Sequence, residues 1–332
     1  MRLLRLALIM VRPPLFVLFL LFAAIGLAQA GHAEQFHPLF TVVALVIAAW
    51  FVNAGAVNDL ADELIDRVNF PSVGPRPLPS GQATRRQMVA LALASGAVSA
   101  GVGFAVNWRV GAVVVSALAL SAAYSLPPLR ISARGGLASI LLPAGYVAFP
   151  YLVALFTVQD SISREQLILL AGLWVSFIGR ILLKDFRDVE GDAQFGKRTF
   201  LLRHGRPATC AVSALSWVAG AASLLLIVPA TAPVLPAFAI FVGCALYALR
   251  QLARQTSRFH ESGIISCIAM IGRGMAVTLL AHYSMADLGH PTLQRVAVTA
   301  VLTALFVWVS WTVLYERRPT ATANEPVREH LK

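Results

Sequence analysis

Charged side chains are scarce in this sequence: Asp, Glu, Lys and Arg make up 13% of its 332 residues, against 58% for hydrophobic types. Soluble domains carry about 25% charge, so the shortage excludes an ordinary water-soluble fold. Cysteine is equally sparse. Cys210, Cys244 and Cys267 lie in apolar segments and form no CxxC pair, which excludes a disulfide framework or a zinc site and leaves them as small interior residues. The spacing also leaves no room for the alternating short strands of a membrane β-barrel.

Long apolar runs take the place of all these features. A helix needs roughly 17–25 apolar residues to cross a hydrocarbon core of about 30 Å. Ten stretches qualify, at about 14–30, 39–57, 87–106, 110–126, 137–158, 165–183, 208–229, 232–249, 264–286 and 296–315, and the mean hydropathy is +0.73. Lipid offers backbone N–H and C=O groups no partners, so such segments read as helices. The expected fold is all-α, a polytopic transmembrane bundle of nine to ten helices forming one domain over 1–316, with a polar tail over 317–332. The opening "MRLLRLALIMVRPP", an apolar run and then "GLAQAGHA" imitate a secretory signal. The run from Pro14 to Ala30 exceeds a usual signal core, so a retained first helix is expected.

Lys and Arg gather in cytoplasmic loops. With the N-terminus inside, 22 of the 27 basic residues fall on one side, Arg109, Arg164 and Arg295 on the other, and Arg180 and Arg273 within helices. This predicts a multi-pass protein of the cytoplasmic (inner) membrane with a cytoplasmic N-terminus. The net charge of +11 is then mostly topology, facing an anionic leaflet, and no soluble domain exists to hold nucleic acid.

The few acids are placed unevenly. "NDLADELIDR" (58–67) follows the second apolar run and holds Asp59, Asp62, Glu63 and Asp66; "KDFRDVEGD" (184–192) follows the sixth. On a helix Asn58, Asp62 and Asp66 share a face at i, i+4 and i+8, and Asp188 and Asp192 repeat the spacing with Asp185 one turn before Asp188. Carboxylates crowded at a membrane repel one another unless cations neutralise them. For one cluster, a solvated rim is the plain reading; two at matched helix ends, both on the cytoplasmic side, argue for a shared site. Carboxylate and amide oxygens suit Mg²⁺, which commonly binds through a few carboxylates plus substrate phosphates. Arg67, Arg76, Arg130, Lys184, Arg187 and Arg198 lie near enough to hold an anionic head group, since Arg forks fit phosphate oxygens. Arg180 and Arg273 read equally as structural partners of carboxylates or as head-group ligands.

At these residues the sequence resembles the UbiA family of intramembrane prenyltransferases. "NDLADELID" resembles that family's NDxxDxxxD motif and is followed by the Arg-Pro-rich "RPLPSG" (76–81); "DFRDVEGD" (185–192) resembles DxxDxxxD; "YSLPPLR" (124–130) resembles the loop after the fourth helix. The family core commonly has nine helices against the ten apolar runs here, and Arg130 stands where many relatives carry a Lys nearby. The resemblance implies transfer of an isoprenyl chain from a polyprenyl diphosphate to an aromatic, quinone-precursor or lipid acceptor. It implies Mg²⁺ held by Asn58, Asp62, Asp188 and Asp192 with Asp185 assisting, and Asp59 and Asp66 in support. Arg76, Arg130, Lys184, Arg187 and Tyr124 would hold the diphosphate, and Asp66 is a candidate to take the acceptor's proton. Catalysis would then rest on Asp62, Asp66, Asp188 and Asp192. The alternatives are a cyclase of the same family, a polytopic transporter, which would place its acids near the bilayer midplane, and a membrane scaffold.

Overall fold

A computed structural model describes residues 2–69, 76–255 and 257–316. The expected tail over 317–332 lies outside the described residues. Among them every regular element is a helix: α1 (Arg2–Met10), α2 (Pro13–Gln29), α3 (Phe36–Asn69), α4 (Arg85–Val106), α5 (Trp108–Ser125), α6 (Gly136–Pro143), α7 (Phe149–Val158), α8 (Arg164–Leu182), α9 (Asp185–Gln194), α10 (Phe200–Ala222), α11 (Val234–Arg254), α12 (Arg258–Asp287) and α13 (Thr292–Glu316). Nine helical stretches among the described residues are long and apolar enough to cross a membrane, and α1 with α2, bent by 69° at their junction, makes a tenth. The expected bundle is therefore present, with the apolar runs on helices, two of them interrupted or ended early.

Polar residues mark where several helices begin. Thr84 and Gln87 form a capping box that starts α4, and Ser163 and Gln166 do the same for α8; each satisfies backbone donors a new helix leaves open. Asn107 closes α4 and opens α5, its side chain accepting from the backbone N–H groups of Arg109 and Val110. The run 137–158 is not one regular helix: between α6 and α7 the residues Ala144–Ala148 widen into a π turn beside Pro143, which cannot donate an i→i−4 bond.

Burial is densest where α2, α7, α8, α10, α11 and α12 meet, around Ile25, Tyr151, Leu169, Phe241 and Ile268. A second apolar layer, around Phe19, Ile47, Trp50, Val114 and Phe149, joins α2, α3, α5 and α7. Within lipid there is little hydrophobic drive between helices, so close approach depends on small residues. The α8–α10 seam shows this: a Cβ on Gly220 would lie 2.6 Å from the Gly172 carbonyl, and Ser213 Oγ donates to the Gly179 carbonyl at 2.7 Å.

Candidate active site

The two acidic stretches meet at one end of the bundle. The first is carried by the last turns of α3, whose helical dihedrals break at Asp62 (φ −109°, ψ 16°). The second is α9, which begins directly after α8 and packs against α3. No proline or glycine sits at the break, and three side chains hold Asp62 from outside the regular ladder. Asn58 Nδ2 donates to Asp62 Oδ2 at 3.1 Å, Arg130 Nη2 to Oδ1 at 3.0 Å, and Lys197 Nζ lies 3.4 Å from Oδ2. The sparsely populated dihedral region is one where active-site residues often sit.

Lys197 joins the stretches. Its ammonium also lies 3.2 Å from Asp192 Oδ1, so Asp62 and Asp192 stand within the span of a single cation. Both carboxylates are buried. Burial pushes the Asp192 carboxyl above its ordinary range, against the pull of Lys197. A second knot lies beside the first. Arg76 Nη1 donates to Asn58 Oδ1 at 3.0 Å and to Asp59 Oδ1 at 3.2 Å, and it also pairs with Asp66. Arg12, at the α1–α2 bend, approaches Asp59 to 3.8 Å. Asp59 is fully buried, and its Oδ2 has no hydrogen-bond partner among the described residues.

The loop between α5 and α6 brings Arg130 in. Gly135, at φ 58°, presses against the Arg198 carbonyl, which a Cβ would approach to 2.6 Å, so only glycine fits this turn. The contact ties the loop to the segment that carries Lys197.

From this end a cavity of about 370 Å³ runs into the bundle. Arg12, Arg76, Lys184, Arg187, Asn58, Asp188 and Tyr124 line its polar part; Phe19, Trp50, Phe51, Tyr146 and Phe177 line its apolar part. The π turn places Tyr146 between the rings of Phe19 and Phe177, with centroids 5.1 and 5.3 Å away. A smaller adjoining pocket holds Asp62, Asp185, Asp192 and Lys197, with Asn58, Tyr124 and Lys184 shared between the two.

Sequence-expected residues are thus brought together unequally. Asn58, Tyr124, Lys184, Arg187 and Asp188 line the large cavity; Asp62, Asp185 and Asp192 line the pocket beside it. Lys184 Nζ lies 3.7 Å from Asp188 Oδ2. Arg130 contacts Asp62 and the Ala61 carbonyl from outside both spaces. Asp66 is buried against Arg76 and lines neither. Glu63 turns outward to Arg67 and Arg85. Sequence reasoning missed Lys197 and Arg12. Lys197 follows the second motif by one turn and a glycine; Arg12 carried no signal, since only the fold sets the first bend beside Asp59.

The donor set fits a divalent cation in kind: all are hard oxygens, and the buried Asp59 oxygen keeps unused acceptor capacity. Among the described residues no three acidic, His or Cys side chains converge closely enough to chelate an ion unaided. Such a site would need outside oxygens, as Mg²⁺ sites completed by water and phosphate do.

The UbiA prenyltransferase family matches residues 17–270. The bacteriochlorophyll synthase 33 kDa chain of Cereibacter sphaeroides is 31% identical over 146 residues, 43% of this chain and 47% of that protein. Digeranylgeranylglyceryl phosphate synthase of Methanothermobacter thermautotrophicus is 28% identical over 261 residues, 72% of this chain and 83% of that protein. This chain thus spans under half of the bacteriochlorophyll synthase and most of the archaeal one. In fold, it superposes on a solved structure of digeranylgeranylglyceryl phosphate synthase with a TM-score of 0.65 at 18% identity, covering 86% of this chain and 99% of that one. A UbiA homologue of Archaeoglobus fulgidus bound to DMAPP and Mg²⁺ gives 0.57 at 16% identity, covering 93% and 98%. With motifs, fold and family match in agreement over most of its length, the chain belongs to the UbiA prenyltransferase family.

Proposed function

We propose that this chain is a membrane prenyltransferase that moves an isoprenyl group from a prenyl diphosphate to an aromatic, quinone-precursor or lipid acceptor, releasing diphosphate. One observation carries the reading: a single cavity joins an end lined by acids and bases to an interior lined by aromatic rings. A prenyl diphosphate has the same two-part character.

Asn58, Asp62, Asp185, Asp188 and Asp192 would hold Mg²⁺. When bound, the ion would stabilise the negative charge that gathers on the departing diphosphate. The Archaeoglobus homologue binds DMAPP with Mg²⁺, which supports this assignment. The chain's own cations act on the same charge. Lys184 and Arg187 border the cavity's polar end, where their donors meet diphosphate oxygens and favour the state in which the C1–O bond has broken, and Arg76, at the same end, neutralises Asp59 and Asp66 behind them. Tyr124 adds a hydroxyl from the facing wall, and Arg130 acts through Asp62. The bond's electron pair leaves with the diphosphate, the acceptor's nucleophile bonds to C1, and the acceptor's proton passes to the released diphosphate; Asp66, the expected base, is buried against Arg76 and lines neither space. Phe19, Trp50, Tyr146 and Phe177 exclude water from the electron-poor carbon. The charge bias of the loops supports a site on the cytoplasmic face of the inner membrane, in a single catalytic domain over 1–316.

A carrier would hold its acids near the midplane, whereas both stretches here lie at helix ends. The test is incubation of the purified chain with radiolabelled geranylgeranyl diphosphate, Mg²⁺ and an acceptor panel, with EDTA controls. Labelled, EDTA-sensitive product is expected. Diphosphate release without acceptor would assign a cyclase, and neither outcome with any acceptor would remove the enzyme.

A further inference from the structure

Most cations at the cavity's polar end are engaged by the acids. Arg12 and Arg76 face Asp59, and Lys184 faces Asp188. Arg180 differs. Among the described residues no carboxylate lies within ion-pair distance of it; its guanidinium carbon lies 5.4 Å from the centre of the Phe177 ring. The charged groups it does feel are cations, Arg273 and Arg187, with Tyr146 beside them. Arg180 lies in the last turn of α8, four residues before Lys184, which stands at the junction with α9.

Position gives this residue an outlet. Arg180 borders the large cavity, and it also borders a small apolar cavity between α2, α8, α10 and α12, where Phe22, Trp217 and Met275 are neighbours. Arg273 is tied elsewhere: its Nη2 donates to the Pro14 carbonyl at 3.3 Å and its Nη1 meets Met270 Sδ at 3.2 Å. A guanidinium held inside a bundle beside other cations is unfavourable, and an incoming anion relieves it. Its planar fork matches a carboxylate or a phosphate.

We propose that Arg180 binds an anionic group, carboxylate or phosphate, carried by the acceptor, and so selects acceptors bearing one. The proposal rests on the prenyltransferase reading and names the acceptor class for that site. It separates two anion sites in one cavity: the donor's diphosphate at the acid-lined end, the acceptor's anion at Arg180.

The test uses the full-length chain in detergent and two matched probe pairs: 4-hydroxybenzoate with its methyl ester, and a monoalkyl glycerol phosphate with the parent monoalkyl glycerol. Equilibrium binding is measured by calorimetry for the wild type, Arg180→Gln and Arg180→Lys, with inorganic diphosphate plus Mg²⁺ as the donor-side control. In the wild type, the anionic member of at least one pair binds about tenfold tighter or more than its neutral partner, the size of one charge-assisted hydrogen bond. Arg180→Gln abolishes that preference and leaves diphosphate binding within about twofold; Arg180→Lys keeps part of it. The pair that responds tells an aromatic acid from a lipid phosphate. The proposal falls if neither pair shows a preference in the wild type, if the preference survives in Arg180→Gln, or if that variant weakens diphosphate equally. Should Arg180→Gln not fold, retention of the preference in full by Arg180→Met overturns the proposal and its loss supports it. Transfer from radiolabelled geranylgeranyl diphosphate to the preferred probe is scored separately. An Arg180-dependent preference without transfer supports the anion site and counts against the transferase, so the two failures are distinguishable.

Discussion

Lys197→Met tests the join between the acidic stretches. The ammonium sits 3.4 Å from Asp62 and 3.2 Å from Asp192, with 11% of the lysine side chain exposed and 7% of each carboxylate. Methionine keeps most of the stem and deletes the charge. Removing one partner of a buried ion pair costs about 3–5 kcal/mol. Asp62 keeps Arg130 and Asn58, so the lower end applies, about 3 kcal/mol. With about 2 cal/mol/K of unfolding entropy per residue over 332 residues, the melting temperature in EDTA falls by about 4 °C. Mg²⁺ changes the comparison. The bereft carboxylates meet the ion without a competing ammonium, so the variant gains more stability per increment of Mg²⁺ than the wild type does. Fluorescence-detected thermal unfolding in detergent, in EDTA and across a Mg²⁺ series, reads both effects. A variant that melts with the wild type in EDTA denies the bridge; an unaltered Mg²⁺ response denies that ion and lysine share these carboxylates.

Six further substitutions separate chemistry from packing. Asp62→Ala and Asp188→Ala should each lower prenyl transfer by at least about a thousandfold, as expected when charge stabilisation at the leaving group is lost, while size-exclusion profiles stay unchanged; near-normal turnover in either would remove that residue from the metal site. Arg76→Met leaves Asp59 and Asp66, both buried, without their shared guanidinium, and should destabilise by about 3–5 kcal/mol in denaturant titration. Arg85→Ala, which removes an ion pair whose arginine side chain is 64% exposed, should change stability by less than about 1 kcal/mol. Gly220→Ala brings a Cβ to 2.6 Å from the Gly172 carbonyl and 2.7 Å from the Ser176 nitrogen and should cost about 1–3 kcal/mol. Gly243→Ala, where a Cβ meets nothing within 4 Å, should stabilise α11 by up to about 1 kcal/mol.

The spans were legible because hydropathy over 17 or more residues is local information, and lipid permits one backbone solution. Helix ends were less so. The run 264–286 starts as a helix at Arg258, because polar turns outside the hydrocarbon keep their backbone bonds while losing the apolar signal; ahead of the run 208–229 a helical turn from Phe200 is set off by a break at Gly205 (φ 75°). The i, i+4 spacing in both motifs correctly put Asp62 and Asp192 on faces that meet. The break at Asp62 was invisible: neither proline nor glycine marks it, and its causes are Arg130 and Lys197, 68 and 135 residues away. The aromatic lining escaped notice for a similar reason, since its rings come from α2, α3, α8 and the π turn.

The basic residues show most clearly where sequence reading stops. Arg76 and Arg180 are both arginines close to an acidic motif; the sequence reads Arg76 as a diphosphate ligand and Arg180 equally as a structural partner of carboxylates or a head-group ligand. Folded, Arg76 touches Asn58, Asp59 and Asp66, whereas Arg180 faces a ring and other cations. A cation already matched to carboxylates adds little net attraction for an incoming anion, because their fields largely cancel at that range. An unmatched one in a low-dielectric wall adds much more. Proximity in sequence therefore overstates what Arg76 offers a ligand directly and understates Arg180, and the difference between them lies in which neighbours the tertiary fold supplies.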